Sequence, residues 1–114
     1  MNKIQFSHRP IMGVSAAVTV DGDNAHFAFA VRNNSDSHDR RQANTILTKR
    51  LEHSVAHPNE RRFALSVPAN GRDSHQIMLD FRKAFKPVPD ESDTSGRYSA
   101  DFRLNFARTI AKAI

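Results

Sequence analysis

The most regular pattern of apolar and polar positions runs from Asn24 to His53. Phe27, Phe29 and Val31 alternate with His26, Ala28, Ala30 and Arg32. A period of two sends the first set to one face of a sheet. The two alanines leave room for a helix to lie close on the other face, so this strand is expected to be covered on both sides, at least in part. Asn33, Asn34, Ser35 and Asp36 break the alternation. Ser35 or Asp36 can cap a following helix, because a short side-chain oxygen accepts from an unpaired first-turn N–H. Asp39 adds negative charge near the positive end of the helix dipole. Ala43, Ile46, Leu47 and Leu51 then recur at helical spacing. Arg41, Thr45, Lys49 and Glu52 fall elsewhere on that cylinder. Arg40 and Arg50 flank the apolar stripe, where their stems can cover it while their heads reach water. Pro58 ends the helix, and it biases His57 away from helical angles.

Upstream, Val14, Ala16, Val18 and Val20 alternate with Ser15, Ala17 and Thr19. The Asp21-Gly22 pair between this run and the next predicts a tight hairpin, since Gly supplies positive φ cheaply. Ile4 and Phe6 add a short edge strand, and Pro10 is unsuited to a central one. Downstream, Phe63, Leu65 and Val67 predict another strand, followed by the turn Pro68-Ala69-Asn70-Gly71. Residues 74–86 fit two periods. His75, Ile77, Leu79 and Phe81 suit a returning strand; Ile77, Met78, Phe81, Ala84 and Phe85 suit a helix capped by Ser74 and stopped by Pro87. The Asn-Gly turn favours the strand. Residues 87–97, PVPDESDTSGR, predict an exposed, mobile connector. Tyr98 to Phe106 also alternates, but Phe102, Phe106, Ile110 and Ala113 form a helical stripe. High helix propensity after Phe106 favours a helix from near Ser99, with a strand to about Leu104 as the rival. The sum is one α+β domain over residues 1–114. Its antiparallel sheet of four or five strands is built from two hairpins, with two helices packed on one face in ββα-ββα order.

The 114 residues suffice for one core. The chain has no cysteine, which excludes disulfides and thiolate zinc sites. No signal-like leader and no membrane-spanning apolar run is present, so the expected setting is cytoplasmic, without membrane contact. There are 17 Lys and Arg against 12 Asp and Glu, a net charge of +5. Asp90, Glu91 and Asp93 sit in the connector, so the rest of the chain is more basic still. Such a body attracts polyanions or acidic protein surfaces. The plainer reading is that excess cations keep a small domain soluble.

Nothing assembles into a catalytic signature. His53 and His57 stand four apart, as on one helical face, but no third ligand is suggested nearby, so neither a metal nor a cofactor is expected. Asp21 with Asp23, and Asp36 with Asp39, are explained by turn formation and capping. No nucleophile elbow or phosphate loop occurs, and the expectation is a protein that is not an enzyme. The cations are the stronger lead. Arg40, Arg41, Lys49, Arg50, Arg61 and Arg62 would form one basic rim if the helix packs on the sheet. Arg82, Lys83 and Lys86 make a further group. Guanidinium forks suit carboxylate and phosphate alike.

The stretch FAFAVRNNSDSHDRRQANTILTKRL resembles small uncharacterised bacteriophage proteins, in which an alternating strand is followed by a polar turn and a basic helix opening on paired cations. The matching residues are Phe27, Phe29, Val31, Arg40, Arg41, Ile46, Leu47 and Arg50, and FARTIAKAI at the C-terminus is similar in kind. The usual glycines of such helices are absent. The resemblance implies an accessory phage or mobile-element protein that binds host machinery in the host cytoplasm, and it transfers no catalytic residue. Two readings stay open. One is a non-catalytic accessory protein that modulates or inhibits a host protein or nucleoprotein complex, as antidefence and anti-CRISPR proteins do. The other is direct nucleic-acid binding. An exposed strand edge would also allow a homodimer.

Overall fold

A computed structural model describes residues 3–9, 13–31, 40–57, 63–85 and 99–114. The elements are β1 (Gln5–Arg9), β2 (Val14–Asp21), β3 (Asn24–Val31), α1 (Arg40–Ala56), β4 (Ala64–Pro68), α2 (Ser74–Phe85) and α3 (Ala100–Ala113). The fold is α+β, with one four-stranded antiparallel sheet in the order β1-β2-β3-β4. The β2–β3 hairpin closes at the Asp21–Asn24 pair. Gly22 sits there at φ +62°, where a side chain would be strained.

Alternation sorts the sheet into two apolar faces. Val14, Ala16, Val18, Ala25, Phe27, Phe29 and Leu65 pack against Ile77, Met78 and Phe81 of α2 and Leu104, Ala107 and Ala111 of α3. The Phe27 and Phe29 rings stack at 5.9 Å, and Phe81 tilts against both at 5.5 and 6.3 Å. On the other face, Ala17 and Ala28 lie under Leu47 and Leu51 of α1, with Ile4, Phe6 and Ala30 at the margin.

The helices therefore occupy both faces of the sheet, as the small residues of β3 suggested, and not the one face on which the two expected helices were placed. The reason is visible in β2 and β3. Ala17 and Ala28 are as fully buried as the phenylalanines behind them. Leaving them in water would forfeit apolar burial on that side.

The second expected hairpin is absent. Asn70 and Gly71 do adopt the positive φ of a tight turn, +56° and +78°. The chain then enters α2 instead of a returning strand, giving the order βββα-βαα. Asp73 Oδ1 accepts from the Gln76 N–H at 2.8 Å and so caps the helix, with Ser74 as its first residue. Arg72 braces the same turn, donating to the Ala69 carbonyl at 3.0 Å and to Asp80 at 2.9 Å. Helix α3 begins where helical periodicity places it. Ser99 Oγ accepts from the Phe102 N–H at 3.1 Å, and Asp101 lies in the first turn. The rival strand to Leu104 is replaced by this helix. The connector at 87–97 lies outside the described residues. Among those described, no helix is long and apolar enough to cross a membrane.

Candidate functional site on the outer face of α1

Helix α1 buries Leu47, Leu51 and Ser54 against the sheet. Each flank is tied down by a polar contact. On the β1 side, the His8 ring bridges Ser15 Oγ through Nδ1 and Asn44 Oδ1 through Nε2, both at 2.9 Å. A neutral imidazole satisfies this pair, with Nε2–H donating to Asn44 and Nδ1 accepting from the serine hydroxyl. On the opposite flank, Arg50 Nη1 donates to the Phe29 carbonyl. The same guanidinium lies 4.2 Å from the centroid of the Phe63 ring. Burial lowers its pKa from the usual arginine value, which still leaves it charged at neutral pH.

The outward side of α1 is polar. Arg41, Thr45, Lys49 and Glu52 are exposed and Asn44 and Thr48 half-buried. These residues line a shallow depression along the helix. Arg41 and Lys49 are about 12 Å apart along the axis, from the rise of 1.5 Å per residue. Among the described residues neither of them is held in an ion pair. The Thr45 hydroxyl donates to the Arg41 carbonyl at 3.1 Å, so its own donor is occupied.

Of the expected basic rim, Arg41 and Lys49 are exposed among the described residues. Arg50, expected to hold its head in water, is instead a packing residue. The reason is that the Phe29 carbonyl at the end of β3 and the Phe63 ring meet its fork. Arg40 opens α1, but its side chain lies outside the described residues, as do Arg61 and Arg62. Sequence reading missed Asn44 and Thr48 as members of the surface. Their signal was the polar series 41, 44, 45, 48, 49 and 52, which repeats at three and four.

Other clusters resolve into structural roles. The His53 and His57 rings are 4.7 Å apart at the exposed C-terminal end of α1. Among the described residues no three side chains are grouped to hold a metal ion. His26 is only 3% exposed, and its Nδ1 lies 2.7 Å from Ser66 Oγ. Burial lowers its pKa, against a smaller upward pull from Asp21. Phe27 and Phe29 belong to the core and are not offered to a base.

No known protein family, curated protein or solved structure matches this chain.

Proposed function

We propose that the protein acts by binding, without catalysis, as an accessory protein of the phage type. In this reading the outer face of α1 engages an acidic surface of a host protein or nucleoprotein complex and modulates or inhibits it. The supporting observation is that Arg41 and Lys49 stand exposed and, among the described residues, without an ion-pair partner, on a helix anchored along both flanks. The helix that carries the two cations is already held in place, so its backbone need not be ordered on docking, which favours affinity. The surface is also mixed. Asn44 and Thr48 offer neutral hydrogen-bonding groups, and Glu52 offers an acceptor for a partner cation. That mixture favours a protein surface, which can set a carboxylate against Arg41 or Lys49 and a cation against Glu52, over a uniformly anionic phosphate backbone.

Capture from a bacterial lysate with and without nuclease tests this reading. The expected result is a partner retained after nuclease treatment, with no binding to random duplex or single-stranded DNA. Micromolar DNA binding that collapses steeply with salt would instead support the direct nucleic-acid reading.

A further inference from the structure

We infer that the partner docks as an extended, acidic segment, adding a strand to the outer edge of β1 beneath the Asn44 flank of α1. This rests on the reading of α1 given above and states what that surface grips.

β1 ends the sheet, and among the described residues no strand pairs beyond it. The direction of its main-chain groups follows from the hairpin. A two-residue loop closed by Asp21 and Asn24 makes that pair exchange both of its hydrogen bonds. Consistently, Phe29 N–H donates to Phe63 and Ala69 N–H to Asp23, so the odd positions from Asp23 through β3 turn towards β4. Alternation then turns Ala16 and Val18 of β2 towards β1, where they pair with Ser7 and Gln5. The N–H and C=O of Phe6, between them, point away from the sheet. The Phe6 side chain lies on the α1 face with Ala17 and Ala28, and His8 on the same face holds Asn44.

A strand added antiparallel to this edge would place the residue opposite Phe6 on the α1 face as well. Its alternate side chains would stand on the same side of the sheet as α1, the side to which the Asn44 flank is tied through His8 and on which Arg41 and Lys49 lie. Charge selects the occupant. Residues 1–20 contain no carboxylate, and Lys3 and Arg9 bracket β1. A second copy paired on this edge about Phe6 would set cation opposite cation, which destabilises a cross-strand pair. An acidic segment meets the opposite sign at Arg41 and Lys49 on the α1 face, and sets no cation against Lys3 or Arg9 on the other. The far edge is less suited, because β4 ends in Pro68, which lacks a donor.

The probe is a fluorescein-labelled nine-residue peptide of alternating threonine and glutamate, offered to the intact protein. Two variants are N-methylated, one at every glutamate and one at every threonine. With glutamates facing α1, their amides are the ones that meet β1. Methylating the glutamate amides should weaken binding at least tenfold by fluorescence polarisation. Methylating the threonine amides should leave it unchanged, and the parent peptide should slow hydrogen exchange at the Phe6 amide. Equal binding of all three peptides, lost in Arg41→Glu with Lys49→Glu, would overturn strand addition and leave the α1 reading intact. No binding of any peptide at millimolar concentration would overturn the inference, as would binding of a single-stranded DNA dodecamer in place of the peptides. A dimer in sedimentation with Phe6 already protected would overturn it in favour of a second copy of the chain.

Discussion

The Arg50 guanidinium lies over the face of the Phe63 ring, 4.2 Å from its centroid. Its Nη1 reaches the Phe29 carbonyl at the same time. One side chain therefore ties α1 to the end of β3 and to the entry of β4. Truncating it removes a charge-assisted hydrogen bond, a cation–π contact and the packing of its stem. Arg50→Ala should lower unfolding stability by about 2 kcal/mol, measured by urea denaturation. Arg50→Lys should recover only part of this, since an ammonium lacks the planar fork. Neither change should alter partner affinity under conditions where the domain is folded.

The contact of α1 with the sheet depends on two small residues. Ala17 and Ala28 are cross-strand partners, and both are completely buried beneath Leu47 and Leu51. Ala28→Leu adds three carbons where none fits and should cost about 1–3 kcal/mol through overpacking. Leu47→Ala leaves a cavity in the same layer and should cost about 2–5 kcal/mol. Thermal melts of the two variants check both values.

These layers show what was legible in the sequence. The β2–β3 hairpin, the edge strand and α1 followed from alternation, an Asp-Gly turn and helical spacing, all local signals. Ala28 and Ala30 already pointed to a helix on their side, yet the core of α2 and α3 on the phenylalanine face requires contacts far apart in sequence. Asn70-Gly71 did form its positive-φ turn, but such a turn is compatible with either a strand or a helix after it. Asp73 and Gln76, spaced as cap and third helical residue, carried that decision. At the candidate surface, exposure of Arg41 and Lys49 followed from the helical wheel. The inward turn of Arg50 did not, because it depends on a carbonyl and a ring supplied by β3 and Phe63.

His26 gives the fold a pH dependence with a defined sign. Its pKa in the folded chain is below the ordinary value of 6.5, chiefly because it is buried. The unfolded chain therefore takes up the proton more readily. The stability linked to His26 is complete above pH 6.5 and is lost as pH falls through the lowered folded value. Chemical denaturation at pH 7.5 and at pH 5 should show this loss in the wild type. His26→Gln, which cannot titrate, should show a smaller loss over the same interval.

The most direct measurement is the affinity of the lysate-captured partner for Arg41→Glu with Lys49→Glu, set against Arg82→Glu with Lys83→Glu. Arg82 and Lys83 are exposed on α2, far along the chain from α1, and their reversal changes net charge equally. The α1 variant should bind about a hundredfold more weakly, with its thermal midpoint close to wild type, while the α2 variant should bind normally. Wild-type affinity in the α1 variant, or equal losses in both, would contradict a partner site on the outer face of α1.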